Sequence, residues 1–291
     1  MFFSRPDGEN GWSIDNKLTS WFTKRITTPI VRSIKGTFVA NTPLSLEEVK
    51  KMKKVCKMAA DTLVYVEKFV KPGVSLLEID KMVYDYTLSQ NAVPATLGYH
   101  GYPKSICTSV NHVVCHGVPD SYLLKEGDIV NIDVTTKFDG FFGDSSKTFA
   151  VGKVSDSAQK LIDTAKEAME VGIKAITPYG TTGDIGFEIN KFVTRKGYST
   201  VKEIGGHGIG RKFHQDPFVP SFGKKGKGEK LIPFYCLTVE PMINEGTDEI
   251  LEFPIPGSSH SHYETKDKKL SAQFEHTILI TESGYEILTL P

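Results

Sequence analysis

The chain has 291 residues, enough for one large domain or two small ones with a sizeable core. Its 35 basic and 35 acidic residues balance, so composition predicts no overall attraction to nucleic acid or to an anionic membrane. The four cysteines form no CxxC pair, which argues against a zinc ribbon and a disulfide framework and indicates reduced thiols. No apolar run approaches the ~20 residues that span a bilayer. The first residues lack the apolar core of a secretory signal. We therefore expect a cytoplasmic protein without a membrane anchor.

Residues 1–44 are predicted to be an N-terminal extension, because prolines and glycines interrupt them and no sustained periodicity is present. From residue 16 to residue 46 there is no acidic side chain. The basic residues of this stretch are Lys17, Lys24, Arg25, Arg32 and Lys35. Acidic residues ahead of it argue against a transit peptide. We interpret the segment as an arm on the surface of a domain over 45–291, with docking to a partner as the alternative.

Two capping boxes predict the first pair of helices. Ser45–Glu48 opens an amphipathic stretch that runs to the stop at Lys71–Gly73, and Ser75–Glu78 opens a second stretch through Tyr86. Strands and loops are expected over 95–118.

A second pair of helices is predicted further along the chain, over 155–176 and 184–196, and again strands follow. The order helix–helix–strands therefore occurs twice. Because no strong sequence repeat accompanies it, two related halves are an inference from the pattern alone. The fold class that this order predicts is α+β.

A β-hairpin is predicted over 127–151, because two apolar, β-branched runs flank Asp139-Gly140. Asp133 and Asp144 lie at similar distances from that turn, so we expect the folded hairpin to bring them face to face. Two such carboxylates in half-buried strands repel one another unless a cation lies between them. The alternative is that one caps a loop and the other is satisfied by a lysine or a backbone amide.

Three further candidate ligands lie in the second half. His207 lies in the glycine-rich segment Gly205–Gly210, and Glu240 and Glu275 lie in the predicted strands 235–243 and 271–280. Each alone has an ordinary explanation as a turn, core or ion-paired residue. Together with the two aspartates they make four oxygen donors and one imidazole, a set that suits Mn²⁺, Fe²⁺, Co²⁺ or Zn²⁺. Carboxylates can bridge, so two metals about 3.5–4 Å apart could share them.

Seven segments, in this order, resemble the motifs of the methionine aminopeptidase family. They are Leu97–Ser105, Val114–Gly117, Asn131–Val134, Gly143–Lys147, Gly206–Gly210, Val239–Met242 and Gln273–Thr277. Each motif alone is weak, but their order over about 45–291 is very specific. The resemblance implies the pita-bread fold, an antiparallel sheet with helices outside and pseudo-twofold halves.

The resemblance also implies a site for two divalent ions. Asp133 would chelate one ion, His207 and Glu240 the other, and Asp144 and Glu275 would bridge both. The implied reaction is removal of the N-terminal methionine from nascent polypeptides whose second residue is small.

By the same resemblance, His116 would hydrogen-bond the scissile amide region and His214 would polarise the carbonyl and steady the oxyanion. Glu240 would pass a proton to the leaving amine. His116 and His214 are therefore also expected to bind the substrate. The remaining residues of the implied methionine pocket are Tyr99, Tyr102, Cys107 and Phe213, whose aromatic and sulfur surfaces suit a thioether.

This chain departs from the family at the rim of the pocket. Thr96 stands where many relatives have cysteine, and Ser258–His262 stands where bacterial relatives often carry a tryptophan near position 261. His260 and His262 either contact the substrate or belong to a solvated loop, and we favour the loop. Glu240 follows His214 by 26 positions, which leaves no room for the helical insertion of type II relatives, so type I is expected.

Two other functions remain open from the sequence. A proline-specific peptidase of the same fold would carry a further N-terminal domain, and only about 44 residues precede the first predicted helix. A non-catalytic member docking to a ribosome or to RNA would be favoured by loss of a ligand residue, and all five are present. We expect a monomer, with docking to the ribosome through the basic arm as a hypothesis.

Overall fold

The computed structural model describes residues 42–291, so most of the predicted extension lies outside the described residues. Its α-helices agree with the predicted stretches to within a few residues at each end. They are α1 (Leu46–Glu67), α2 (Leu76–Ser89), α3 (Asp156–Lys174) and α4 (Thr182–Arg195), and a short 3₁₀ turn covers Tyr99–Gly101. Ser45 and Ser75 each form a complete capping box with the glutamate three residues later.

The strands are short except for three of ten residues that cross the centre of the molecule. They are β1 (Val93–Pro94), β2 (Cys107–Val110), β3 (Val113–Cys115), β4 (Ile129–Phe138), β5 (Phe141–Ala150), β6 (Ser199–Thr200), β7 (Gly206–Ile209), β8 (Gln215–Val219), β9 (Cys236–Val239), β10 (Met242–Asn244), β11 (Ile250–Pro254), β12 (Ser261–Thr265), β13 (Ser271–Ile280) and β14 (Tyr285–Ile287).

The central sheet is antiparallel and has the strand path β1-β4-β5-β13-β9-β7-β8, with β2, β6, β10 and β14 attached beside it. A separate sheet of order β11-β12-β3 lies next to it. The helix pairs pack on the outside. The first pair buries its apolar face with β4 and β5, and the second with β9 and β13. Each fully buried aliphatic side chain contributes roughly 1.5–3 kcal/mol. The predicted α+β architecture with two related halves is confirmed.

The hairpin of β4 and β5 turns at Asp139 and Gly140, which both have positive φ, as a two-residue type I′ connection requires. The pairing register of β4 and β5 differs from the expected one, in which Asp133 and Asp144 face each other. Asp133 pairs with Ser146, and Asp144 pairs with Thr135. The two aspartates are therefore diagonal neighbours on one face rather than directly opposite partners.

The strand predicted over 235–243 is interrupted after Val239. Pro241 has no N–H to donate to a ladder, so β9 ends and β10 begins at Met242 on the other side of it. Glu240 lies in this break. The strand predicted over 271–280 is β13 and is confirmed in full.

The described chain begins beside the loop that precedes β9. The Leu44 side chain is buried, and its N–H donates to the Phe234 carbonyl oxygen at 2.9 Å. Among residues 42–291, no helix is both long enough and apolar enough to cross a bilayer.

Candidate metal centre

The five predicted ligands come from neighbouring strands of the central sheet. Asp133 lies on β4, Asp144 on β5, Glu275 on β13 and His207 on β7, while Glu240 directly follows β9. Since these strands are neighbours in the order β4-β5-β13-β9-β7, side chains on one face of the sheet converge. The structure therefore brings together all five residues that the sequence pointed to.

The centre of this group is formed by Asp144, His207 and Glu275. One ligand atom from each lies within 4.8 Å of the other two. His207 Nε2 is 3.7 Å from Asp144 Oδ2 and 3.6 Å from Glu240 Oε1. Asp133 lies close enough to Asp144 for each carboxyl group to influence the pKa of the other. Such spacings suit a shared cation better than direct hydrogen bonds.

Burial dominates the electrostatics of the four carboxyl groups. It raises the pKa of Asp133 to about 7 and that of Glu240 to about 8. It also raises the pKa values of Asp144 and Glu275 well above their usual range, and the neighbouring carboxylates raise them further. The four groups cannot all carry charge at neutral pH without compensating positive charge.

Two oxygens of the cluster have no hydrogen-bond partner although they are buried. They are Asp133 Oδ1 and Glu275 Oε1. An orphaned buried acceptor is costly, and a divalent cation would satisfy both. The donor set and these free oxygens therefore fit the divalent ions that the resemblance implies.

The local backbone aims His207 into this cluster. Its Nδ1 lies 3.0 Å from the Gly208 carbonyl oxygen, an acceptor, so Nδ1 carries the proton and Nε2 is free to act as a ligand. Burial lowers the His207 pKa to about 4, which keeps the ring neutral. A Cβ on Gly206 would lie 2.3 Å from the Thr238 carbonyl oxygen, so glycine is required there.

Three supporting side chains were missed by the sequence analysis. Thr135 donates to Asp144 Oδ1 at 2.8 Å, Thr238 donates to Glu240 Oε1 at 2.8 Å, and Gln273 donates to Glu240 Oε2 at 3.0 Å. Thr238 and Gln273 each precede a ligand glutamate by two positions. Because alternate residues of a strand share a face, this spacing was a usable signal.

Both predicted catalytic histidines lie beside the cluster. The ring of His214 is 4.2 Å from that of His207, centroid to centroid, and its Nδ1 is 2.8 Å from the Tyr99 hydroxyl oxygen. His116 has a positive φ of 57°, and its Nδ1 lies 3.2 Å from the Ser261 carbonyl oxygen. Burial lowers the pKa of His116 to about 4 and that of His214 well below its usual range.

The predicted methionine-pocket residues lie on two sides of this site. Tyr99 and Phe213 are in contact, with ring centroids 4.7 Å apart, and Phe213 also stacks on His214. Tyr102 and Cys107 belong to a separate small buried cluster, and the Tyr102 hydroxyl donates to the Gly117 carbonyl oxygen at 2.9 Å. Burial raises the pKa of the Cys107 thiol well above its usual range, and the nearby Asp133 carboxylate raises it further.

The loop that carries Phe213 and His214 is attached to the start of the described chain by Arg211. Its Nε and Nη2 donate to Glu48 Oε1 and Oε2, each at 2.6 Å. Its Nη1 donates to Thr42 Oγ1 at 2.9 Å. The hydrogen bond from Arg211 is the largest cause that lowers the Glu48 pKa to about 2. We call Thr42, Glu48 and Arg211 the arginine clamp.

The expectation of a solvated loop is met only in part, because His260 lies in the loop between β11 and β12, where residues 256, 257 and 259 are exposed, but its own side chain is half-buried. Its Nε2 atom is buried, and its ring contacts Tyr99 at a centroid distance of 5.6 Å. The sequence offered no signal for this contact, because the two residues are far apart in the chain. His262 is different, since its ring stacks on Phe253 and its Nε2 lies 3.5 Å from Glu264 Oε1.

Comparisons with known proteins identify the family to which the chain is similar. A model of metallopeptidase family M24 matches residues 50–282. Methionine aminopeptidase A of Synechocystis is 46% identical over 250 residues, which cover 86% of this chain and 97% of that protein. The crystal structure of methionine aminopeptidase from Rickettsia prowazekii has a TM-score of 0.83 at 43% identity, covering 86% of this chain and all of that one.

A likeness to the Xaa-Pro dipeptidase of Bacillus anthracis is weaker, with a TM-score of 0.66 at 23% identity over 86% of this chain and 62% of that one. At that identity it reports the fold alone. The family model covers most of the chain, and the relatives at more than 40% identity extend over nearly their whole length. The chain belongs to metallopeptidase family M24.

Proposed function

We propose that this protein is a type I methionine aminopeptidase, which removes the N-terminal methionine from nascent chains whose second residue is small. The observation that carries the proposal is the convergence of the five ligand side chains beside Tyr99, Phe213 and His214. The high identity to methionine aminopeptidases supports the same substrate class.

The five ligands would hold two divalent ions, of Mn, Fe, Co or Zn. Asp133 would bind one, His207 and Glu240 the other, and Asp144 and Glu275 both. Such ions would supply water activated at neutral pH and would polarise the scissile carbonyl. The unpartnered oxygens of Asp133 and Glu275 support this assignment, and metal analysis of the purified protein would test the number of ions.

The surrounding side chains would orient the substrate and move protons. Tyr99 and Phe213 offer aromatic surface to the methionine thioether, and Tyr102 and Cys107 would close the pocket behind them. Because Nδ1 of His214 is engaged with Tyr99, Nε2 is the atom left to polarise the carbonyl and stabilise the oxyanion.

His116 and Glu240 would act on the other side of the scissile bond. His116 is held by the Ser261 carbonyl oxygen through Nδ1, so its Nε2 would bind the scissile amide region. Glu240 is steadied at both oxygens, by Thr238 and by Gln273, and would deliver a proton to the leaving amine.

Hydrolysis of short peptides tests this function. With Mn²⁺ or Co²⁺ added, we expect turnover of Met-Ala-Ser, much slower turnover of Met-Leu-Ser, and none of Ala-Pro. Cleavage of Ala-Pro in preference to Met-Ala-Ser would instead support a proline-specific peptidase. No turnover of any peptide with metal demonstrably bound would favour a non-catalytic, ribosome-binding or RNA-binding role.

The remaining proposals concern the setting of the reaction. We propose that the protein is cytoplasmic, which its four free buried cysteines support and which cell fractionation would test. We also propose a monomer, which light scattering would test. We also propose that residues 1–44, with their basic stretch, contact ribosomal RNA. Removing residues 1–41 should then leave peptide turnover unchanged and weaken salt-sensitive binding to ribosomes in co-sedimentation. Equal binding of both forms would reject the contact.

A further inference from the structure

A row of imidazole side chains continues outward from the proposed catalytic histidines. The ring centroid of His260 is 5.9 Å from that of His116 and 5.2 Å from that of His100. His116 and His260 are half-buried, whereas His100 is exposed. The three rings therefore lead from the proposed scissile site to the protein surface. The mechanism proposed above uses His116 and gives no role to the other two.

The two loops that carry His100 and His260 are fitted closely to each other. Ser259 N and Ser258 Oγ both donate to the His100 carbonyl oxygen at 3.0 Å. A Cβ on Gly101 would lie 2.5 Å from the Gly257 carbonyl oxygen, so a glycine is needed for this approach. The imidazoles are consequently pre-organised, so a ligand that binds them loses little binding free energy to the ordering of these loops.

The polar atoms of this row are not matched by acidic groups. His260 Nε2 is buried and has no hydrogen-bond partner. Within residues 42–291, the histidines with a carboxylate oxygen inside 4.0 Å are His112, His207 and His262. His100 and His260 are not among them. A buried, unpartnered ring nitrogen costs free energy that a bound acceptor would recover.

The position of the row relates it to a particular substrate residue. The His260 ring is 5.9 Å from that of His116, about two residues of an extended peptide, and His260 and His100 also flank Tyr99 of the proposed methionine pocket, at centroid distances of 5.6 and 4.4 Å. In an extended peptide the side chains of the first and third residues lie on the same side, so the third side chain is expected next to these rings. The second substrate residue is small in the proposed reaction and has no side chain long enough to reach His260. The third residue is therefore the one whose side chain meets His260 and His100.

We propose that His260 and His100 bind an acidic side chain at the third residue of the substrate, an inference that rests on the function proposed above. Imidazole N–H groups donate to a carboxylate, and hydrogen bonds to a charged acceptor are stronger than those between neutral groups. A ring nitrogen that presents its proton to the substrate cannot accept a hydrogen bond from an ammonium group, which offers donors only. The rim thus discriminates between substrates that share methionine and a small second residue.

Hydrolysis of three peptides by the full chain with bound metal tests this proposal. We expect kcat/KM for Met-Ala-Asp-Gly to exceed that for Met-Ala-Lys-Gly by about 5–20-fold, with Met-Ala-Asn-Gly between them. His260→Ala and His100→Ala should each bring the Asp-to-Lys ratio to about 2 or below. His260→Gln keeps an N–H donor and should retain part of the preference.

His262→Ala is the matched control, because His262 lies two residues away and faces Glu264 rather than the row. It should leave the ratio unchanged. Equal turnover of the Asp and Lys peptides by the wild type would overturn the proposal, as would a full preference in both His260→Ala and His100→Ala. Failure to cleave any methionine peptide would instead refute the proposed function.

Discussion

The two halves of the molecule deliver their carboxylates to the site in different ways. In the first half, Asp133 and Asp144 come from one hairpin with a two-residue turn. In the second half, Glu240 and Glu275 are 35 residues apart, and β10, β11 and β12 lie between them. The first pair is assembled by local pairing, whereas the second requires the complete sheet. The centre therefore exists only when both kinds of contact have formed.

The largest expected effect tests whether the halves contribute equally. Asp144→Ala and Glu275→Ala should each reduce turnover of Met-Ala-Ser by at least about 10³-fold, because metal activation of water is worth several kcal/mol. Each variant removes a proposed bridging ligand, and metal analysis should show lost or weakened binding. Glu282→Ala, at an exposed position, is the control. Full activity of either bridging variant would show that its half is dispensable.

His214 contributes to the site without belonging to the proposed ligand set. His214→Ala should lower kcat by about 10²–10³, the usual loss for one oxyanion donor, with metal content unchanged. Loss of metal together with activity would show that the assigned role is wrong. Stopped assays and metal analysis on the same protein preparation separate the two outcomes.

Removing the metal should make stability depend on pH. Burial raises the pKa of Asp133 to about 7 and that of Glu240 to about 8, so above pH 6.5 the folded state binds more protons than the unfolded state. The free energy of unfolding therefore falls as pH rises. Below pH 6.5 the neutral buried rings of His116 and His207 oppose this trend.

We expect the Tm of the chelated protein to drop by about 5–10 °C between pH 6.5 and 8. Added Mn²⁺ or Co²⁺ should restore it most at pH 8, because the ions bind the charged carboxylates. Differential scanning fluorimetry measures this. A Tm of the chelated protein that rises over the same interval would contradict the assignment of burial as the dominant cause.

The smallest effect concerns the arginine clamp, which joins the first helix to a loop of the second half. Arg211→Ala should lower kcat by about tenfold, because small displacements of His214 are costly to the reaction. Glu48→Ala should do the same, and the double variant should be no worse than either single one. Arg195→Ala, at the end of α4, is the control. Additive losses would show that the two residues act separately.

Local patterns in the sequence were sufficient for the helices and for the hairpin. The capping boxes at Ser45 and Ser75 and the Asp139-Gly140 turn are short-range signals, and the structure contains all of them. The two-residue turn also fixes the register, since Phe138 must pair with Phe141, and counting back from it places Asp133 and Asp144 as diagonal neighbours rather than direct partners.

The rim of the cleft could not be predicted. The rings of His260 and Tyr99 are in contact although more than 150 residues separate them in the sequence, and no sequence periodicity relates the two loops that carry them. The break between β9 and β10 was predictable from Pro241, since its missing N–H excludes it from a ladder. Non-local contacts between loops therefore account for the differences from expectation at the rim of the cleft.

The arginine clamp also connects the start of the described chain to a loop of the cleft. The described chain starts at Thr42, and Arg211 joins that point to a loop in which His214 is only three residues further on. A partner that binds residues 1–41 and exerts force on them would transmit that force to the arginine clamp, close to the reacting groups. Binding of a partner to the extension would then change the rate of turnover without a conformational change transmitted through the core.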